Sequence, residues 1–432
     1  MVQILLRFAN VKSVGRAADS CHPLIEQFTA GRGDRDPKQK NLGLYTQGHV
    51  GKNRCPNGSF AIIKSQCDVG VKRMTVVKDS IFYTFCPVVC SSHIALEKGF
   101  ITGEFTRTGM NISHISELSP EHWQSHFTHR HPALFRDGGN IPPIWARSEG
   151  ANTKVIGMVW TEPGGSLLVK ENSPIGSVGD LKGKRIGLLR KLPTLIDFGR
   201  ATEKKGIVSI LEAHGLQKDD IRFVDIPVDI PEIGIELRSH MTGWWKISPK
   251  KGWKAADSPL VKALKNGEVD AIFATYGIDK ALEELGIARV VYTLEGQEDW
   301  RRLVNIGFPY IITVSKQLAS DHPDIVAMWM RATINAGNWA SQNKDEMFAI
   351  FSKVTRLPEQ ALRKHYPSDL HKRLIPQITE IGIQALEIEK DFLKEHGFIN
   401  NDFNVRAWVD DTFLRTALNM PLKHRVSAMP QQ

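Results

Sequence analysis

Residues 155–295 alternate short apolar runs with helix-like segments, and this alternation constrains the fold more than any other feature. The strand-like runs VIGMVW (155–160), SLLV (166–169) and KRIGLL (184–189) come first. A helix running to LEAHG follows, then the strand IRFVDIP, the helix VKALKNG, the strand DAIFATY, the helix EELG and the strand ARVVYTL. Ser177 and Asp180 have the spacing of a helix start, and Gly183 that of a stop. Strands that alternate with helices in this way predict a parallel sheet covered on both faces.

The flanks read differently. Ile81–Phe85 is a short β-prone run that ends at Cys86-Pro87, and SSHIALEKG after it reads as a helix closed by Gly99. Beyond Ser315 the chain turns helical. Pro323 suits a first turn, and Ile325, Met328, Trp329, Ala332, Ala336 and Trp339 fall on one stripe. Ile378, Ile381, Ala385, Ile388 and Phe392 form another stripe, which Gly397 closes. One α/β unit is thus interrupted by a second and completed by C-terminal helices. The expected organisation is a lobe I of residues 79–165 and 300–432, and an inserted lobe II of residues 166–299. Clefts between lobes are where small ligands usually bind.

Residues 1–78 lack that patterning. Segments such as AGRGDRDPKQKNLG and GHVGKNRCPNGS predict a poorly structured extension. The extension also explains the net charge of +9 on the 432 residues. Residues 1–80 hold 13 Lys/Arg against 6 Asp/Glu, while the remainder holds 43 against 41. The main body is nearly neutral, so a nucleic-acid partner is not expected. No apolar run approaches the ~18 residues of a membrane helix, so no membrane partner is expected either. All five cysteines (Cys21, Cys55, Cys67, Cys86, Cys90) lie in the first 90 residues. An odd number at one end is a poor disulfide framework and points to a reducing, cytoplasmic setting. The first 18 residues contain no acidic side chain, which leaves a mitochondrial transit segment as the alternative.

Three phrases, NSPIGSVGDLKGKRIGL, LEAHGLQKDDIRFVDIP and ALKNGEVDAIFATY, resemble the second lobe of type-2 periplasmic solute-binding proteins. The resemblance implies an α/β, two-lobed fold with an interlobe cleft. It implies little about the ligand, because one scaffold serves many functions. Upstream, Tyr83-Thr84-Phe85-Cys86-Pro87-Val88, His126-Phe127-Thr128 and Phe135-Arg136-Asp137-Gly138-Gly139-Asn140-Ile141-Pro142-Pro143 resemble the hydroxybiphenyl sulfinate desulfinase family. The similarity runs from about Ser80 to about Ala417. It implies that Cys86 is the family's active-site cysteine, His126 its partner, Arg136 the sulfinate-binding arginine and Gly139 a glycine whose amide holds the sulfinate. Thr84, Phe127 and Gly138 are added as substrate-side residues. Thr84 stands where the family has serine, and residues 161–243 contain no tryptophan to match the family's aromatic pocket.

The chemistry fits these residue types. An anionic sulfinate head calls for a planar, permanently charged fork and for closely approaching amides, which Arg beside Gly-Gly supplies. Cys86, ending a strand, would either attack sulfur or donate a proton, with His126 as acid–base partner or orienter. Taken singly, each residue has a plainer reading: an inert core thiol, an exposed arginine on an ordinary turn. Cys86 and Cys90 also have half the spacing of a metal site, and His122, His126, His129 and His131 form a dense cluster with His122 and His126 on one helix face. No second cysteine pair or HExxH accompanies them, so no metal and no cofactor are expected. The Trp244-Trp245…Trp253 patch amid lysines reads as a cleft-covering loop or as surface rather than a base-stacking platform. The expected function is hydrolysis of the C–S bond of an aryl sulfinate by a monomer whose partner is a small organic anion. The alternative is a binder or sensor of a sulfonate or thiamine-precursor-like anion that does no chemistry.

Overall fold

The computed structural model describes residues 80–106, 108–161, 164–192, 194–229, 258–275, 277–304, 308–355 and 358–420. The expected extension over residues 1–78 and the Trp244–Trp253 patch lie outside the described residues.

Among the described residues, ten strands form two five-stranded sheets. The first contains β1 (Ser80–Phe85), β2 (Asn111–His114), β3 (Leu134–Gly138), β4 (Thr153–Val159) and β10 (Tyr310–Ser315), in the order β2-β1-β3-β10-β4. The second contains β5 (Gly165–Lys170), β6 (Arg185–Leu192), β7 (Arg222–Asp229), β8 (Ala271–Thr275) and β9 (Ala288–Thr293), in the order β7-β6-β8-β5-β9. The wholly parallel sheet expected from the alternation is corrected here, because both sheets are mixed. β5 runs antiparallel to β8 and β9, and β10 antiparallel to β3 and β4. Each of these is the strand by which the chain enters a sheet from the other one. It arrives without a covering helix of its own and inserts against the direction of its neighbours. VIGMVW and SLLV, adjacent in sequence, therefore fall in different sheets.

Helices cover both sheets. α1 (Ser91–Glu97) and α2 (Phe100–Phe105) pack with the long helix Pro323–Gln342 beneath the first sheet. Trp329 of that helix is fully buried and stacks on Phe135 of β3, with centroids 4.2 Å apart and 4° between the planes. Two four-residue helices, α3 (Pro120–Trp123) and α4 (Ser125–Thr128), precede β3, and α5 (Ile141–Ser148) follows it. α6 (Phe198–Ala213) packs on β6 of the second sheet. One apolar cluster joins Trp123, Phe127 and Ile141 to Ile196, Ala201 and Val208 around α6, and to Leu386 and Leu393 of the helix Glu380–Glu395. Continuous burial across the two halves makes them one packed body here.

Candidate active site

β1 and β3 are parallel neighbours, with Thr84 opposite Arg136 and Phe85 opposite Asp137. Their carboxyl ends, where open α/β sheets carry their ligands, bring the motif residues into contact. Cys86 is the first residue past β1. Its N–H donates to the Asp137 carbonyl at 2.8 Å, which extends the ladder by one bond. Its carbonyl accepts from His93 Nε2 of α1 at 2.8 Å. Burial lowers the pKa of His93 from 6.5 to about 4, so its ring is neutral and carries its proton on Nε2. The backbone of Cys86 is therefore pinned at both polar groups.

The side chains converge on the sulfur. Arg136 Nη2 donates to Cys86 Sγ at 3.0 Å, Nη1 to the Gly139 carbonyl at 2.8 Å, and Nε to the His126 carbonyl at 3.2 Å. The guanidinium is 0% exposed, although a buried Arg is normally paired with an anion. His126, on α4 and buried, places Nε2 3.8 Å from Cys86 Sγ. Its Nδ1 is 2.8 Å from Thr84 Oγ1, so a hydroxyl fixes the ring and leaves Nε2 for the sulfur. Cys86, His126, Arg136 and Thr84 thus form one hydrogen-bonded unit.

Gly138 is necessary at its position. Its φ is +143°, and a Cβ there would stand 2.4 Å from Cys86 Cβ and 2.5 Å from Sγ. Gly139 has open space where a Cβ would go, and its carbonyl holds Arg136. Phe127 is 8% exposed. It meets the His126 ring edge-on at 4.8 Å and stacks with Phe198 at the start of α6 at 6.4 Å, so an aromatic wall runs from the site into the second half.

The histidine cluster does not act as a group. The expected shared helix face of His122 and His126 is corrected: the chain breaks at Gln124 between α3 and α4. His122 packs edge-on to His131 at 5.7 Å, while His126 turns to Cys86. His129 takes a left-handed conformation, φ +53°, and its Nδ1 donates to the Phe127 carbonyl at 2.9 Å. Among the described residues, no group of three or more His, Cys, Asp or Glu side chains could hold a metal ion. Cys86 and Cys90 are both free thiols.

Sequence reasoning missed three features. Arg136 reaches the thiol as well as facing the position expected for an anion, His93 fixes the Cys86 backbone, and Asp137 is buried immediately behind the site. The buried character of β3 was the available signal for the last of these.

With the geometry described, comparison with known proteins agrees with the motifs. The chain is similar to 2'-hydroxybiphenyl-2-sulfinate desulfinase. The Rhodococcus erythropolis protein is 26% identical over 374 residues, covering 81% of this chain and 96% of its own. The resemblance drawn from the three motifs is borne out. Residues 141–233 match the family described as NMT1/THI5 like. Among solved structures, a cysteine-to-serine mutant of DszB in complex with biphenyl-2-sulfinic acid superposes with a TM-score of 0.59 at 24% identity. It covers 79% of this chain and 99% of its own. A periplasmic sulfonate-binding protein, SsuA, from Methylobacillus flagellatus superposes at 0.58 with 17% identity, covering 81% and 99%. The expected α/β fold of the periplasmic-binding-protein kind is therefore the fold observed.

Proposed function

We propose that the chain is a sulfinate desulfinase that hydrolyses the C–S bond of an aryl sulfinate. The observation that carries the reading is the fully buried Arg136, whose directed N–H groups meet two carbonyls and the Cys86 sulfur but, among the described residues, no carboxylate. Such a cation is preorganised for a small anionic head beside a thiol.

In this reading the sulfinate oxygens lie against Arg136 and the Gly138-Gly139 segment, and the aryl group lies along Phe127 and Phe198. Cys86 gives its thiol proton to the ring carbon that bears sulfur. The C–S bond then breaks with its electron pair returning to the ring, and sulfur leaves as sulfur dioxide. Water converts sulfur dioxide to hydrogensulfite and a proton, which returns through His126 to the Cys86 thiolate. The sum is arylsulfinate plus water giving arene plus hydrogensulfite, so atoms and charge balance without a cofactor. His126, held by Thr84, is the acid–base partner. Free Cys86 and Cys90 suit a reducing, cytoplasmic setting.

The test is sulfite release from 2'-hydroxybiphenyl-2-sulfinate in chelator-treated buffer by the wild type and by Cys86→Ser. Release by the wild type, with a loss of about 10³-fold or more in the variant, is the expected result. If neither protein releases sulfite while calorimetry shows both binding the sulfinate equally, the chain is a binder and the enzymatic reading is overturned.

A further inference from the structure

α4 is a single turn of four residues, Ser125–Thr128, and it carries His126. A turn this short has no cooperative stability of its own, and its last carbonyls have no partners within it. Three successive carbonyls are held from beyond the turn. The His129 N–H donates to the Ser125 carbonyl at 2.9 Å, Arg136 Nε to the His126 carbonyl at 3.2 Å, and His129 Nδ1 to the Phe127 carbonyl at 2.9 Å. One residue, His129, therefore holds the backbone on both sides of His126.

That double hold has a conformational cost. His129 lies at φ +53° and ψ +28°, in the left-handed region where a helix ordinarily ends on glycine. It is the one residue other than glycine with a positive φ among the described residues. Its ring is buried, and Nε2 has no hydrogen-bond partner among them. Glycine would make the same turn without a Cβ penalty and would bury no orphaned nitrogen. What glycine lacks is the Nδ1–H that reaches the Phe127 carbonyl. A strained position beside a reactive group, kept for one hydrogen bond, points to a role in the site.

We propose that His129 is a positioning residue for the desulfinase reaction: its side chain fixes the Phe127 carbonyl, and so the turn that aims His126 Nε2 at the Cys86 sulfur. Thr84 contacts the imidazole ring, and His129 holds the backbone that carries it. Without that hold the turn relaxes, and Nε2, 3.8 Å from Sγ, leaves the thiol. This rests on the reading of His126 as the acid–base partner of Cys86, so the test has one arm that needs no substrate.

Alkylation of Cys86 by iodoacetamide, followed on its own peptide by mass spectrometry across pH, reports how His126 acts on the thiol. His126→Ala sets the profile of a thiol without its partner. His129→Gly keeps the left-handed turn and removes the donor, and its profile should move to that of His126→Ala. His129→Asn tolerates the same turn and places an amide N–H where Nδ1 stands, so it should keep the wild-type profile. His129→Ala also lacks the donor and serves should His129→Gly not fold. In sulfite release from 2'-hydroxybiphenyl-2-sulfinate, kcat of His129→Gly should fall about tenfold or more, while His129→Asn should stay within about threefold of the wild type. A wild-type alkylation profile in His129→Gly overturns the proposal, and so does His129→Asn falling as far as His129→Gly. Identical profiles for the wild type and His126→Ala overturn the partner reading instead. A wild type that releases no sulfite overturns the desulfinase reading, and the alkylation arm then still decides the role of His129.

Discussion

Gly138 and Cys86 occupy space that two side chains cannot share: a Cβ on Gly138 would stand 2.5 Å from the Cys86 sulfur. The backbone there also has a positive φ that L side chains rarely adopt. Gly138→Ala should therefore displace the thiol from Arg136 and cost about 1–3 kcal/mol in backbone strain. Sulfite release should fall about 10²-fold, as an ångström-scale misplacement predicts. Gly139→Ala meets no atom within 4 Å and should change stability by less than about 0.5 kcal/mol. Denaturant unfolding and steady-state kinetics on both variants check this, and equal losses would show that the sulfur is not held by Gly138.

Arg136→Lys should fail although the charge is conserved. Three nitrogens of the guanidinium bind three partners on different segments, and one ammonium cannot reproduce that fork. The expected result is a fall in kcat/KM of about 10²-fold or more, shared between weaker sulfinate binding and a misplaced thiol. A variant with wild-type KM would remove Arg136 from the anion clamp.

Much of this was legible in the sequence, and the rest fails for identifiable reasons. The segments KRIGLL, IRFVDIP, DAIFATY and ARVVYTL are all strands, and Ser177 to Asp180 forms a capped 3₁₀ turn, because local apolar runs and caps are written locally. The direction of β5 and β10 is not local. It depends on where the chain crosses between sheets, so the sheets proved mixed. Cys86, His126 and Arg136 could be named from motifs, whereas the Arg136–Cys86 contact could not, because it depends on the β1–β3 register. His122 and His126 had helical spacing, but a break at Gln124, which no residue type announces, sent them apart. Asp137 was read only as part of a motif, since a carboxylate at a buried strand position gives no sign of its surroundings until the helix α1 is placed beneath it.

Acid should destabilise the fold through His129. Its Nδ1 donates to the Phe127 carbonyl, and its buried Nε2 has no hydrogen-bond partner among the described residues. Burial and the nearby Arg136 charge lower its pKa from 6.5 to about 3. The unfolded chain binds a proton here that the native chain refuses until far lower pH. Stability is thus fully present above about pH 6.5 and is lost as the pH falls toward 3, by about 2 kcal/mol from this group at pH 5. His129→Asn, whose side chain tolerates the left-handed backbone, should lose less stability between pH 7 and pH 5 by about that amount. Urea unfolding at the two pH values measures the difference, and parallel losses would assign the acid sensitivity to other histidines such as His93.

Thr84 separates orientation from packing at His126. Its hydroxyl lies 2.8 Å from His126 Nδ1 and is fully buried, so it makes a polar contact with the ring on the side away from the sulfur. Thr84→Val keeps the shape and removes the partner. The imidazole is then free to change tautomer, and the Nε2 lone pair or proton is no longer presented to Cys86 as required. kcat should fall about tenfold to a hundredfold, the scale on which orienting partners act, with KM little changed because Arg136 remains in place. Thr84→Ser restores the hydroxyl and should recover most of the rate. Were valine and serine variants equally active, the place of His126 beside the thiol would not depend on Thr84.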